Sequence, residues 1–159
     1  MNEPADAFDL VLQRQIDIPP AAMWRCWTDP ETLMRWFCPV PWKTTECEID
    51  PRPGGRFRTL MQGPNGESFD GVGCCLEVVP NERLVWMSAL RPGFGPAPVS
   101  TTVPIFIAFV TMAPQAGGTL YSARARHTDA AVCAAHAKMG FHEGWGVARD
   151  QLAAVAKAR

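Results

Sequence analysis

Tyrosine and histidine are scarce in this sequence, and so is charge of either sign. The 159 residues include one tyrosine and three histidines, and charged residues make up 19% of the chain. Lys plus Arg number 15 and Asp plus Glu number 16, which leaves a formal net charge of -1. Binding to a phosphate backbone needs a cluster of basic side chains. The balanced charge therefore argues against a nucleic-acid partner.

Long hydrophobic runs are also missing. No stretch approaches the roughly 18 consecutive apolar residues that a membrane-spanning helix requires. The acidic start, Met1 to Asp6, lacks the apolar segment of a secretory signal. The six cysteines form no Cys-x-x-Cys pair and are expected to be reduced and buried. These absences predict a cytoplasmic protein with no membrane partner, no metal site and no cofactor.

The sequence is rich in two aromatic residues, with six tryptophans and eight phenylalanines. Such large apolar rings are expected to be buried when a chain folds. The chain is short enough to form one domain. We therefore expect a single domain over residues 1–159, with its core over about 8–155.

Periodicity predicts seven strands and three helices. A first strand from Phe8 to Ile16 is followed by two short helices, one starting at Pro20 and one capped by Asp29. Alternating apolar residues then predict the remaining strands. These run over Thr44 to Ile49, Arg56 to Met61, Ser68 to Val79, Leu84 to Leu90, Val103 to Met112 and Thr119 to His127.

One long helix is predicted between Asp129 and Arg159. It is rich in alanine, and its apolar residues recur at spacings of three, four and seven. Gly140, Gly144 and Gly146 weaken its middle, because glycine costs about 1 kcal/mol relative to alanine inside a helix. A bend in this helix, or a close approach of another backbone, is expected there.

Several local strings carry a family resemblance. They are Trp27 to Glu31 with Arg35 to Phe37, Pro53 to Phe57, Glu77 to Trp86, Gly117 to Thr119 and Met139 to Trp145. Together they resemble the START-like, or SRPBCC, superfamily, in the branch related to the activator of the heat-shock protein 90 ATPase. The resemblance extends from about Phe8 to Val155. It implies an α+β helix-grip fold, with a curved antiparallel sheet of about seven strands around a long C-terminal helix and two short helices after the first strand.

A curved sheet around one helix leaves room for a cavity between them. The first hypothesis is therefore binding of a small hydrophobic or aromatic molecule in that cavity. Phe94, in the long loop from Arg91 to Thr101, is a candidate lid over the cavity. For the strand that carries Trp86, the sequence leaves open which of the two faces lines the cavity. The predicted ligand-binding residues are Cys47, Ile49, Phe57, Thr59, Met61, Trp86, Phe94, Phe109, Tyr121, His127, His142 and Trp145.

Two alternative functions remain open from the sequence. The first is a cyclase-like or hydrolase-like enzyme, with His127, His142 or Tyr121 as acid or base. No catalytic motif supports it, since a zinc-binding helix that began at His142 would need a second histidine where Gly146 stands. The second is an interaction module like the chaperone activator, which would use the arginines at 52, 56 and 58. An exposed edge strand also allows a homodimer.

Overall fold

A computed structural model describes residues 7–98 and 104–158 of the chain. These residues form nine strands and four helices. The strands are β1 (Asp9–Ile16), β2 (Lys43–Ile49), β3 (Arg56–Gln62), β4 (Ser68–Val79), β5 (Arg83–Met87), β6 (Leu90–Arg91), β7 (Gly95–Pro96), β8 (Phe106–Gln115) and β9 (Gly118–His127). The helices are α1 (Pro20–Thr28), α2 (Pro30–Leu33), α3 (Ala130–Lys138) and α4 (Phe141–Lys157).

Seven of the strands form one antiparallel sheet in the order β1-β9-β8-β5-β4-β3-β2. The first strand, β1, therefore pairs with the last strand, β9. Strands β1 and β2 form the two edges of the sheet. Buried residues of α1, α4 and one face of the sheet share one hydrophobic core. This arrangement confirms the predicted α+β helix-grip architecture.

The two short helices begin where the sequence predicts. Pro20 occupies the first turn of α1, and the carboxylate of Asp29 accepts a hydrogen bond from the backbone N–H of Thr32 in α2. The indole N–H of Trp36, just after α2, donates to the carbonyl oxygen of Cys26 in α1 at 2.9 Å. This bond fixes the segment after α2 against α1.

The C-terminal region differs from the prediction of one long helix. It forms two helices, because Gly140 lies between α3 and α4 with a φ of 94°. That left-handed conformation is inexpensive for glycine and ends a right-handed helix. A break at Gly140 thus replaces the expected bend, whereas Gly144 and Gly146 lie inside an uninterrupted α4.

The loop after β5 also contains more order than expected. Strands β6 and β7 pair as a small hairpin, and Phe94 lies at its tip with a φ of 64°. The end of the predicted loop, residues 99–101, and the first residue of the predicted strand, Val103, lie outside the described residues. Among the helices that the structure describes, none has the length and apolar character needed to span a membrane.

Candidate functional site

Five aromatic rings pack together on the inner face of the sheet. We call this group the tryptophan cluster, and it comprises Trp27, Trp36, Phe37, Phe57 and Trp86. Phe57 and Trp86 stack with centroids 4.4 Å apart, and Trp27 lies 5.2 Å from Trp86. Leu84 and Trp86 belong to the hydrophobic core. The face of β5 that carries them therefore points inward, a choice that the sequence left open.

Gly73 allows the stack between Phe57 and Trp86 to form. It lies on β4, between the strands that carry the two rings, and pairs with Phe57 in the sheet. A Cβ atom at Gly73 would lie 2.7 Å from the carbonyl oxygen of Met87 and 3.3 Å from Cδ1 of Trp86. Only a residue without a side chain fits this position without a shift of its neighbours.

A second group of rings lies beneath α3 and the start of α4. We call it the histidine cluster, and it comprises Phe106, His127, His136, Phe141 and Trp145. The His136 ring lies 5.0 Å from Phe106 and 5.3 Å from Phe141, measured between centroids. His127 and Trp145 were predicted at the site, whereas His136 was not, because its contacts depend on how α3 packs on the sheet.

Hydrogen bonds define the protonation of the two histidines. Nδ1 of His127 lies 2.8 Å from the carbonyl oxygen of Phe8, so this nitrogen carries the proton. Nε2 of His127 then accepts a bond from Nδ1 of His136 at 2.8 Å. Burial, together with the nearby His127, lowers the pKa of His136 to about 4. The His136 ring is therefore neutral near pH 7.

Small side chains occupy the sheet between the two clusters. Ala108 on β8 pairs with Ala125 on β9, and Ala123 lies two residues away on the same face. All three are fully buried, and Leu152 of α4 belongs to the same core. The middle of the sheet is thus lined by methyl groups rather than rings.

Tyr121 is the polar residue at the far end of this strip. It is 2% exposed and belongs to the hydrophobic core, as Trp27 does. Burial raises the pKa of Tyr121, and a side-chain hydrogen bond with Trp27 partly opposes this rise. The phenol is therefore neutral near pH 7 and is held beside the Trp27 indole.

An open groove with a volume of about 610 Å³ lies beside the end of β2. Cys47 and Ile49 line it and also pack against the hydrophobic core. Burial, then the negative charges of Glu48 and Asp29, raises the pKa of the Cys47 thiol to about 11. A thiol with this pKa stays protonated at neutral pH and is a poor nucleophile. The groove is lined by Pro30, Cys47, Glu48, Ile49, Asp50 and Arg56.

Two residues predicted for the cavity lie elsewhere. Phe109 is on the outer face of β8, where the guanidinium groups of Arg83 and Arg126 lie 5.8 and 5.0 Å from its ring centroid. His142 is exposed on α4, and its Nε2 lies 3.2 Å from the carbonyl oxygen of Val11 on the edge strand β1. Apolar residues occur on both faces of β8, so the sequence could not decide whether Phe109 faces inward or outward.

The remaining predicted residues occupy separate places. Thr59 is buried on β3, and Met61 is half-buried two residues along the same strand. Phe94 is 52% exposed and packs on Gly54 in the turn between β2 and β3. This turn leads into Arg56, one of the residues that line the groove. The hairpin is held there by a 2.8 Å bond from Gly93 N–H to the carbonyl oxygen of Gly54.

The three acid-base candidates do not converge. Tyr121 and His127 are six residues apart on one strand, which places them about 20 Å from each other at about 3.3 Å per residue. His142 bonds to the outer edge of β1. Within residues 7–98 and 104–158, no group of three or more His, Cys, Asp or Glu side chains could hold a metal ion.

Comparisons with known proteins agree with this fold. The family described as activator of Hsp90 ATPase homolog 1-like protein matches residues 17–157. A Nitrosomonas europaea protein of known structure is 42% identical, with a TM-score of 0.90 and 97% of each chain covered. A Mycobacterium smegmatis protein is 25% identical, with a TM-score of 0.78 and coverage of 93% of this chain and 90% of the other.

A third solved structure supports the fold alone. It is an AHSA1-like protein from Aeromonas hydrophila, 22% identical, with a TM-score of 0.72 and coverage of 94% of this chain and 92% of the other. Among curated proteins, none matches this chain. Because the family match spans most of the sequence, the chain belongs to the activator of Hsp90 ATPase homolog 1-like family, within the START/SRPBCC superfamily.

Proposed function

We propose that this protein binds a small hydrophobic or aromatic molecule between the sheet and α4. The observation that carries the proposal is the groove beside β2, whose floor residues Cys47 and Ile49 also pack on the buried core. Ile49 pairs with Phe57 in the sheet, and Phe57 stacks on Trp86 in the core behind these residues. Full burial of an apolar side chain stabilises by roughly 1.5 to 3 kcal/mol, and an apolar ligand gains from the same effect.

The hairpin tip carrying Phe94 would cover the entrance. It packs on the turn that joins the two strands bordering the groove, and its ring is half exposed. A ligand in the groove would give this ring a second apolar contact. The predicted role of Phe94 as a lid therefore remains part of the proposal.

The alternative functions gain no support from the described residues. The acid-base candidates lie apart, as described above. Arg52, Arg56 and Arg58, which the chaperone-activator hypothesis used, pair with Asp50, Glu48 and Glu46 in turn. These ion pairs satisfy the charges that a partner protein would otherwise recognise.

Ligand titration tests the proposal. The probe is 2-acetylnaphthalene, and binding is followed by calorimetry and by the melting temperature, which a ligand of the folded state raises. Cys47→Phe fills the groove and is expected to weaken binding at least about tenfold, a loss of about 1.4 kcal/mol. Thr45→Phe, at an exposed position of the same strand, is the matched control and should leave binding unchanged. Absence of probe binding to the unmodified protein contradicts the proposal.

A further inference from the structure

Strand β2 is an edge of the main sheet, and it bonds to a neighbouring strand, β3, on one side only. The backbone N–H of Asp50 donates to the carbonyl oxygen of Arg56 at 2.9 Å, and Glu48 pairs with β3 in the same register. Along an antiparallel strand, residues bonded to the partner alternate with residues whose backbone groups point away from it. The N–H and C=O groups of Cys47 and Ile49 therefore point to the open side of β2.

The groove of about 610 Å³ lies along this open side. Cys47 and Ile49 pack against the hydrophobic core, whereas the Glu48 side chain is exposed, yet all three residues line the groove. Residues from opposite faces of a strand can border one space only along the strand's edge. Among the described residues, the N–H groups of Cys47 and Ile49 make no backbone hydrogen bond to another segment. A ligand in the groove thus reaches a strand edge with backbone groups to bind.

The opposite edge of the sheet is arranged differently. The backbone N–H of His127 donates to the carbonyl oxygen of Phe8, so the alternation along β1 directs the carbonyl oxygen of Val11 away from β9. Nε2 of His142 on α4 lies 3.2 Å from that oxygen. An outward backbone group of β1 is therefore covered by the protein itself, whereas those of Cys47 and Ile49 border a groove.

Two backbone groups of β2 form a matched pair for a ligand. The carbonyl oxygen of Cys47 and the N–H of Ile49 lie on either side of Glu48 and point in the same direction, one as an acceptor and the other as a donor. A primary carboxamide or a lactam carries an N–H and a C=O side by side. Such a group can donate to Cys47 and accept from Ile49 at once, whereas a ketone can only accept.

The charges around the groove favour a neutral ligand. Glu48 and Asp50 line it together with one cation, Arg56, which lies 3.5 Å from Glu48. The negative charges of Glu48 and Asp29 contribute to the raised pKa of the Cys47 thiol, so the floor of the groove lies in a negative field. A carboxylate ligand would be repelled there. An amide offers the same acceptor oxygen without the charge.

We infer that the open edge of β2 binds the neutral amide group of an aromatic ligand, through the carbonyl oxygen of Cys47 and the N–H of Ile49. This inference rests on the proposed function and names the class of its ligand. The side chains of Pro30, Cys47 and Ile49 line the same groove and provide the apolar contacts for the aromatic part.

The test compares three probes of nearly the same shape by calorimetry. They are 2-naphthamide, 2-acetylnaphthalene, in which a methyl group replaces the amide nitrogen, and 2-naphthoate, which is anionic. The unmodified protein should bind the amide at least about threefold more tightly than the ketone, because one hydrogen bond separates them. It should bind the carboxylate at least about fivefold more weakly than the amide.

The outcomes separate the inference from the proposed function. If the ketone binds and the amide binds no more tightly than the ketone or the carboxylate, the inference is overturned and the proposed function stands. If neither the amide nor the ketone binds, both are overturned.

Hydrogen exchange locates the amide without any variant. In the 15N-labelled unmodified protein, the backbone N–H of Ile49 should exchange faster than that of Glu48, which is bonded to β3. Saturation with 2-naphthamide should slow exchange at Ile49 at least about threefold and leave Glu48 unchanged. Exchange at Ile49 that is as slow as at Glu48 in the free protein, or that 2-naphthamide does not change, contradicts the inference.

A matched pair of variants tests the role of charge. Glu48→Gln removes a carboxylate from the groove and should raise the affinity for 2-naphthoate at least about threefold, with less than a twofold change for the amide. Glu46→Gln is the control, since the Glu46 side chain is 57% exposed, as against 56% for Glu48, and also pairs with an arginine of β3. It should change neither affinity. An unchanged affinity of Glu48→Gln for 2-naphthoate overturns the assignment of a neutral ligand.

Discussion

His127 and His136 share a 2.8 Å hydrogen bond that joins the last strand of the sheet to α3. Nδ1 of His127 also bonds to the carbonyl oxygen of Phe8, the residue before β1. Consecutive hydrogen bonds therefore connect the residue before β1 to β9 and α3. Both imidazoles lie beside the ring of Phe106, and burial lowers the pKa of His136. The docking of α3 is therefore linked to pH.

The stability of the fold should fall as pH decreases below about 6.5. His136 has a pKa of about 4 when folded and its ordinary value of 6.5 when unfolded. Between these values the unfolded chain binds more protons, so acid favours unfolding. At pH 5 this residue should cost about 2 kcal/mol of unfolding free energy relative to pH 7.5. Urea denaturation at the two pH values measures the loss.

The matched variant for that experiment is His136→Asn. The asparagine amide can donate to Nε2 of His127 from nearly the position of the lost Nδ1, and it does not titrate. The variant should lose about 2 kcal/mol less than the unmodified protein between pH 7.5 and pH 5. An identical pH dependence in both proteins would show that His136 is not the group responsible.

Gly73→Ala should separate the stacked rings of Phe57 and Trp86. The added methyl group would lie 2.7 Å from the backbone oxygen of Met87, so the strands must shift. Overpacking of this kind costs about 1 to 3 kcal/mol. Near-ultraviolet circular dichroism should report the altered tryptophan environment, and denaturation should report the loss. Gly66→Ala cannot serve as the control, because Gly66 has a positive φ. The control is Ala116→Gly, at a surface turn, which should leave the near-ultraviolet spectrum unchanged.

Two glycines of the C-terminal region should respond in opposite directions. Apart from the adjoining residues and the backbone of the same helix, no described atom lies within 4 Å of the position that a Cβ would take at Gly140 or Gly146. Gly146 lies inside α4, so Gly146→Ala should raise the unfolding free energy by up to about 1 kcal/mol. Gly140→Ala should lower it by about 1 kcal/mol or more, because alanine is strained at a φ of 94°. Thermal denaturation of the two variants measures both signs, and a shift in the same direction would contradict the explanation.

Asp9→Asn should destabilise the outer face of the sheet. The Asp9 side chain is 1% exposed and pairs with Arg126 at 2.9 Å and Arg124 at 3.4 Å. Loss of one partner from a buried ion pair costs about 3 kcal/mol. Asp50→Asn makes the same chemical change in an exposed pair with Arg52 and should cost less than about 1 kcal/mol. Equal costs in urea denaturation would mean that burial does not set the strength of the Asp9 pairs.

Several features of the fold could be predicted because they depend on local chemistry. The proline at the start of α1 and the Asp29 cap mark the two short helices in the sequence itself. The boundaries of β4 agree with the prediction at both ends, since its alternation is bounded by turn residues. The break at Gly140 follows from the freedom of glycine at positive φ.

The site was less predictable because it depends on contacts between distant segments. Phe109 and Phe106 are both large rings on β8, yet they occupy opposite faces. His136 was not predicted as a site residue, because its hydrogen-bond partner, His127, lies on another element. The hydrogen bond between Trp27 on α1 and Tyr121 on β9 likewise depends on how distant segments pack.

The many tryptophan and phenylalanine residues, with a single tyrosine and few charges, determined that this chain must bury many rings and few polar groups. Periodicity and caps determined the seven strands of the main sheet and the two short helices. Only the tertiary structure divided the rings into two clusters, placed Phe109 outside and brought Trp27 beside Tyr121. The physical reason is that side-chain alternation defines two faces of a strand, but packing against other elements decides which face becomes the interior.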